Sequence, residues 1–326
     1  MTMQRRKIGR TGLEVTELGF GAAPIGNLYR AITDEQSEAT VDAAWEGGIR
    51  YFDTAPHYGL GLAEQRLGAA LQKRPRDGYV LSTKVGRLLV SSGESDHDQE
   101  GFDLESDLTR VRDYSAAGVR RSLDESRQRL GLDRIDIALV HDPDDHLRQA
   151  ATESIPALCE LRDAGEIGAV GVGMNYVQPL LELATHDYPA GVGIDVILVA
   201  GRWTLLDRTA RPLLDACADR GISVIAAAPF NSGLLAGAEP PADGRFNYEP
   251  ATPEVMAKAR EFAAVARAAG TELPHAAMRF PLRHPAVAAA LAGMQTPAEV
   301  AANVACADDL PESAWQRIEA VEPALG

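Results

Sequence analysis

Short apolar runs alternate with amphipathic helical stretches along nearly the whole chain, and this alternation limits the fold more than any other feature. Strand-like runs stand at "YFDTA", "YVLSTKVG", "IDIALVHD", "GAVGVGMN", "DVILVAG" and "SVIAAAP", with weaker ones at "LGFGAAP" and "AVAAALAG". Between them, helical periodicity runs through residues 35–47, 62–71, 116–130, 154–164, 179–184, 210–220 and 253–269. Several helices close on a glycine just before the next strand, as in "WEGGIRYF", "RDAGEIGAV" and "ADRGISVI". Glycine takes the left-handed conformation past a helix end without steric cost, so these junctions read as αβ connections. Eight βα units in 326 residues predict an α/β chain folded as one (β/α)8 TIM barrel domain over residues 1–326. The main rival is a doubly wound open sheet, which usually carries G-x-G-x-x-G after its first strand. "ELGFGAAPIG" places Gly19, Gly21 and Gly26 off that spacing.

Composition narrows the function classes. An apolar content of 45% allows a large core, and a net charge of −15 argues against a nucleic-acid partner. Acidity does not exclude a phosphate-bearing cofactor, because a pocket can be locally positive. Cys159, Cys217 and Cys306 lie in apolar helical patterns without C-x-x-C pairing and read as buried packing residues. His57, His97, His141, His146 and His186 show no paired strand-end ligand motif, so no metal is expected. "MTMQRRKIGRTG" has no apolar stretch of signal-peptide type, and no run approaches the ~18 residues of a membrane span. The chain reads as cytoplasmic, free of membrane and nucleic acid, and a monomer or small homo-oligomer acting on a small molecule.

Two segments break the rhythm. Residues 87–114, rich in acids and serines, read as a long loop at the C-terminal face, either disordered or a lid, with composition favouring mobility. Residues 237–250 ("GAEPPADGRFNYEP") read as a second long loop, with Phe246 and Tyr248 available to dock it.

In such barrels the C-terminal ends of the strands face the active site. Asp53, Lys84 and His141 stand at or near strand ends, and Tyr58 follows Asp53 in the loop. Each has an ordinary alternative: a helix cap, an ion pair, a rim histidine, loop packing. Together they make a proton-transfer device. An ammonium held by a carboxylate favours the phenolate of a neighbouring tyrosine, and an imidazole can orient a substrate oxygen.

The motifs "YFDTAPHYGLGLAEQRLGAAL", "STKVG", "IDIALVHDPD" and "GVGMNY" resemble those of the aldo-keto reductase family, and the resemblance runs from "RKIGRTGLEVTELGFGAAPIG" to "TPAEVAANVACA". It implies the same barrel, NAD or NADP as cofactor, and catalytic roles for Asp53, Tyr58, Lys84 and His141. It places the carboxamide-binding pair at Met174 and Asn175, although methionine cannot replace the usual serine hydroxyl. The usual glutamine and stacking aromatic fall on Ala200 and Ala227, leaving Trp203 or Phe230 to compensate. The phosphates would lie against Phe230, Asn231, Ser232, Gly233 and Leu235, and against Gly293, Gln295, Thr296, Glu299 and Asn303 at the start of the last helix, where a helix N-terminus attracts anions.

Glu299 bears on the choice of cofactor. NADP-dependent relatives usually place there an arginine that grips the 2′-phosphate, which a carboxylate would repel. "TPAE" is equally a capping box with proline at the first helical position. The missing arginine survives both readings, so NAD is preferred and NADP remains possible. "GRTGLEVTELGFGAAPIGNLYR", "TAPHYGLGLAEQRLG" and "GRWTLLD" look most like the sugar-oxidising branch, the L-fucose or D-threo-aldose 1-dehydrogenases, with pyridoxal 4-dehydrogenase nearby. The expected reaction is oxidation of an aldose at C1 to its lactone, with His57, Trp203 and Arg202 as polar pocket residues. The alternatives are an NADPH-dependent aldehyde or ketone reductase, a pyridoxal dehydrogenase, and a non-catalytic nicotinamide-binding redox sensor.

Overall fold

The computed structural model describes residues 3–98 and 100–326. Eight parallel strands close into a barrel in chain order: β1 (Leu18–Gly21), β2 (Tyr51–Asp53), β3 (Val80–Val85), β4 (Ile137–His141), β5 (Ala169–Met174), β6 (Val196–Ala200), β7 (Ser223–Ala227) and β8 (Val287–Gly293). Outside them run α1 (Asp34–Glu46), α2 (Leu62–Leu71), α3 (Ala116–Leu130), α4 (Ile155–Asp163), α5 (Val177–Thr185), α6 (Arg211–Arg220), α7 (Pro253–Ala268), α8 (Leu273–Arg279), α9 (Pro297–Val304) and α10 (Glu312–Glu319). Gly131 and Gly221 end α3 and α6 in the left-handed conformation that the helix-to-strand junctions require. No helix among the described residues is long and apolar enough to cross a membrane.

Strand parity divides the core in two. Tyr51, Val80, Ile137, Leu139, Ala169, Val196, Leu198, Ile225, Ala289 and Leu291 fill the barrel interior. Phe52, Leu81, Val140, Val172 and Val199 point the other way, onto the helices. Because successive side chains alternate, every second residue after an interior one also points inward. At the N-terminal end, the antiparallel pair Arg5–Lys7 and Glu14–Thr16 carries Ile8 and Val15 beneath the interior layer as a plug.

The two segments expected to be loops are more structured than their composition suggested. Residues 87–114 form an antiparallel hairpin, Arg87–His97 paired with Glu105–Arg112. Its far end returns to the β1–α1 loop, where Phe102 bridges Leu28 and the Tyr29 amide donates to the Gly101 carbonyl. In the second segment, Arg245–Phe246 pairs with Glu249–Pro250. Phe246 is buried and docks it, whereas Tyr248 is exposed.

Candidate active site

The parity rule delivers three side chains to the barrel mouth. Tyr51 is interior, so Asp53 is; Val80 is, so Ser82 and Lys84 are; Ile137 and Leu139 are, so His141 is. Gly173 pairs with His141 from β5, and a Cβ there would make ordinary contact with Lys84 Cε at 3.7 Å. Tyr58 arrives from the loop after β2, where the chain turns back at Gly59 (φ +60°). A Cβ on Gly59 would come within 2.2 Å of the Gly26 carbonyl oxygen, which explains the glycine after the tyrosine.

Lys84 Nζ donates to Asp53 Oδ2 at 2.6 Å, to the Thr54 carbonyl at 3.1 Å and to Tyr58 Oη at 3.0 Å. Its three protons are thereby used. Asp53 also accepts from Ser82 Oγ at 2.7 Å, and Ser82 Oγ lies 3.1 Å from Tyr51 Oη. Lys84 and Asp53 are almost wholly buried. Burial by itself lowers the Lys84 pKa, but Asp53 and Tyr58 outweigh it and leave the ammonium's pKa raised.

Tyr58 behaves differently from the expectation that the ammonium would control it. Burial is the largest influence and lifts the phenol to about 12, against the downward pull of Lys84. The His141 ring stands edge-on to Tyr58 at 6.0 Å between centroids, and its buried Nδ1 has no hydrogen-bond partner among the described residues. Burial, then Arg87 and Lys84, hold His141 well below the usual imidazole range. The neutral ring carries one N–H that can donate to a carbonyl oxygen and one unprotonated nitrogen that can accept from a hydroxyl. Tyr114 Oη fixes this strand end from behind, at 2.7 Å from the carbonyls of both His141 and Asp142.

His57 lies in the same cluster, 5.6 Å from the His141 ring, with Nδ1 3.3 Å from Arg87. Burial and then Arg87 lower its pKa to about 2. Arg202 is close to the cofactor side but engaged there, donating to the Asn175 carbonyl (3.0 Å) and to Asn247 Oδ1 (2.6 Å) with Asp207 at 3.4 Å. These bonds use its Nε and Nη1 and tie the ends of β5 and β6 to the 237–250 segment. Trp203 lies elsewhere. Its indole donates to the Pro281 carbonyl, stacks on Phe280, and lines a surface cleft of about 580 Å³ with Arg208, Asp215 and His284.

The residues expected around a nicotinamide cofactor divide in the same way. Asn175 is half-buried at the end of β5, above the buried Met174, and Tyr248 reaches its side chain from the 237–250 segment. Ala200 and Ala227 are half-buried at the ends of β6 and β7, packed on the interior layer, and Phe230 is half-buried against the outer core. Asn231, Ser232 and Gly233 are all left-handed, at φ +45°, +57° and +88°. Two non-glycine residues in that region cost about 1–3 kcal/mol each and mark a constrained loop. Among the described residues nothing accepts the Ser232 and Gly233 N–H groups, and the buried Asn231 Oδ1 has no partner. This cradle fits a phosphate-bearing cofactor. Leu235 contributes less than expected, because its side chain is in the core and its amide is spent on the Phe230 carbonyl.

At the other phosphate-side segment, the amides expected to face the cofactor are already taken. Glu299 accepts from the Gln295 amide (2.6 Å) and the Thr296 amide (3.2 Å), while Thr296 Oγ1 accepts from the Glu299 amide, a complete capping box. Gln295 donates to the carbonyls of Pro24 and Arg30 and accepts from Arg30, so its side chain ties down the β1–α1 loop and does not point at a ligand. Gly293 packs against Pro24, and Asn303 is buried in α9.

The sequence reading missed the hairpin's contribution to the site. Arg87 binds Asp142 (2.5 Å), Arg110 binds Asp98 (2.5 Å) and the His57 carbonyl (2.9 Å), and Phe102 stands edge-on to His57. Asp142 itself is left-handed at φ +44°. The available signal was the position of "GRLL" at the end of β3, where a barrel loop adjoins the active face.

A profile of the aldo/keto reductase family matches residues 17–323. The chain is 43% identical over 315 residues to D-threo-aldose 1-dehydrogenase of Pseudomonas sp., covering 94% of each chain. It is 37% identical to pyridoxal 4-dehydrogenase of Microbacterium luteolum, covering 96% of this chain and 95% of that one. The holo form of an aldo-keto reductase from Bacillus halodurans superposes with a TM-score of 0.77 at 28% identity, over 99% of this chain and 97% of that one. With the buried Asp–Lys–Tyr relay, the neutral histidine beside it and the match over nearly its full length, the chain belongs to the aldo/keto reductase family and is an NAD(P)-dependent oxidoreductase.

Proposed function

We propose that this protein oxidises an aldose of the L-fucose or D-arabinose pattern at C1 to its lactone, with NAD as the preferred cofactor. The observation that carries the chemistry is the Tyr58 hydroxyl 3.0 Å from Lys84 Nζ, beside a His141 nitrogen without a partner. The sugar class is supported by the 43% identity to a D-threo-aldose 1-dehydrogenase.

Tyr58 accepts the C1 hydroxyl proton as general base, and Lys84, held by Asp53, stabilises the phenolate that results. His141 holds the reacting oxygen, and the apolar barrel interior beneath keeps water from the site. Asn175 and the loop from Phe230 to Gly233 hold the cofactor. The bound nicotinamide supplies the electron acceptor. Glu299 supports NAD: a carboxylate committed to the capping box stands in the sequence where NADP-dependent relatives usually carry an arginine. Arg30 is a cation that the β1–α1 loop brings to this region, but it donates to Gln295.

The test is absorbance at the reduced-nicotinamide band with NAD or NADP, a panel of aldoses, and pyridoxal. Reduction of NAD with L-fucose-like sugars is the expected result. Aldehyde reduction with NADPH and silence on sugars would keep the relay and overturn the substrate and the cofactor preference. Glu299→Arg should raise the NADP/NAD activity ratio about tenfold or more, and an unchanged ratio would leave Glu299 only its cap.

A further inference from the structure

A ring of charge surrounds the Asp53–Lys84–Tyr58 relay, and the proton transfer does not use most of it. Arg87 pairs with Asp142, Arg110 with Asp98, and Lys84 with Asp53. Each of these cations therefore meets a carboxylate within 2.6 Å, and the mouth is charge-matched by contact. An anionic group entering it would find each of these cations taken. It would also face Asp142, whose carboxylate lies 3.5 Å from His141 Nε2.

A neutral ligand rich in hydroxyls meets the opposite situation. The Nε–H groups of Arg87 and Arg110 and Nδ1 of His141 are buried without partners. Arg87 and His141 are more than nine-tenths buried, so each unmet group there is costly. Asp142 keeps acceptor capacity beyond its bond to Arg87, and its side chain is 27% exposed. Hydroxyls donate to the carboxylate and accept from the guanidinium and imidazole without adding charge.

Resting on the aldose reading, we propose that Asp142 and Arg87 read the hydroxyls flanking the reacting carbon. The charge-matched mouth then restricts the enzyme to neutral polyhydroxy substrates, so uronates and sugar phosphates are excluded. Asp142 is a specificity-determining residue, set in its left-handed conformation so that its carboxylate reaches both Arg87 and His141.

The test compares L-galactose with L-galacturonate, which differ by a carboxylate at C6, as substrates of the full-length enzyme with NAD. Wild type should favour the neutral sugar by about 100-fold or more in kcat/KM, the scale of an uncompensated like charge. Asp142→Asn keeps a residue type that tolerates positive φ and leaves Arg87 without its carboxylate. It should raise the KM for L-galactose more than it lowers kcat, and shrink the preference about tenfold or more. Arg87→Gln leaves Asp142 unpaired and should not shrink the preference while still raising the KM for L-galactose. Binding of NAD, followed by quenching of protein fluorescence, reports whether each variant folds. If Asp142→Asn does not fold, Arg87→Gln decides alone, and a preference that shrinks in it overturns the proposal. So does wild-type turnover of the two sugars within threefold, or an equal loss on both in Asp142→Asn. If wild type oxidises no aldose but reduces aldehydes, the aldose reading fails separately. Charge selection is then judged by the same criteria on benzaldehyde and 4-carboxybenzaldehyde.

Discussion

Tyr58 stands where two effects oppose each other. Burial raises its phenol to about 12, and Lys84 at 3.0 Å pulls it down without reversing the rise. At neutral pH the group is a phenol, ready to give a proton, and it becomes a base only as pH increases. Sugar oxidation should therefore accelerate by about tenfold per pH unit between about pH 7 and 10 in kcat/KM, and aldehyde reduction should not. Tyr58→Phe should lower turnover by about 10²-fold or more while cofactor binding persists. A flat profile for oxidation, or normal turnover in the variant, would move the base elsewhere. His57 and His141 titrate in the opposite sense. Burial first, and then Arg87, keep both neutral, His57 down to about 2. An unfolded histidine binds a proton near pH ~6.5. Between there and the folded values the unfolded chain takes up protons that the native state refuses. The stability these groups contribute is present above pH ~6.5 and lost as pH falls, at roughly 1.4 kcal/mol per unit for each. Urea midpoints measured from pH 6.5 to 5 should fall, and His141→Gln should flatten the slope. An unchanged slope would remove His141 from this account.

At the scale of elements, the hairpin strands Arg87–His97 and Glu105–Arg112 build one wall of the barrel mouth. Phe102 anchors its far end, almost fully buried, bridging Leu28 and standing against the rings of His57 and Tyr58. Phe102→Ala should cost the hairpin about 3 kcal/mol of local hold. Amides at residues 88–91 and 108–111 should then exchange faster while those of the barrel strands keep their protection, and KM should rise more than kcat falls. Uniform loss of protection would make Phe102 part of the general core instead. The hairpin also marks the limit of what was legible in the chain. Strands and helices of the barrel follow from hydrophobic period, and strand parity alone carries Asp53, Lys84 and His141 to one end. In Glu105–Arg112 the half-buried row is Ser106, Leu108 and Arg110, so the alternation is present but largely polar. Asp98 and Arg110 are buried as a pair, and a sequence shows two charges where the fold shows one satisfied contact. Arg202 and Gln295 carry structural contacts that the sequence did not show, for a related reason. Both stand beside the site, and polar atoms of each bind backbone and side-chain partners remote in sequence. Composition does not reveal which polar groups are already satisfied.

Across the whole molecule the two ends of the barrel carry different burdens. The C-terminal end holds buried charge next to bare hydrogen-bonding groups, an arrangement suited to chemistry. The N-terminal end holds buried charge whose main contacts are made within the protein. Glu17, just before β1, accepts from Arg279 at 2.8 Å and from Arg6 at 2.7 Å. Arg279 also donates to the Ala307 carbonyl, and Arg6 donates to the carbonyls of Leu282 and Val287. This cluster ties the N-terminal plug to the segments preceding and following β8, the strand that closes the barrel onto β1. Glu17 and Arg279 are both almost fully buried, so removing Glu17 leaves the Arg279 guanidinium with Asp309, at 3.9 Å, as its remaining carboxylate among the described residues, a loss of about 3–5 kcal/mol. Removing Arg279 leaves Glu17 still paired with Arg6 and costs less. Glu17→Gln should therefore lower thermal stability strongly, and Arg279→Met should lower it less. Combining Arg279→Met with Glu17→Gln should cost less than the sum, because Arg279→Met removes the charge that Glu17→Gln leaves under-compensated. Below the unfolding transition, kcat and KM should stay at wild-type values in all three variants, since the interior layer of apolar side chains separates this cluster from the relay. Strict additivity would show that the two residues act independently. A fall in kcat without loss of fold would show that the closure of the barrel at its base sets the geometry of Lys84 and Tyr58 at its mouth.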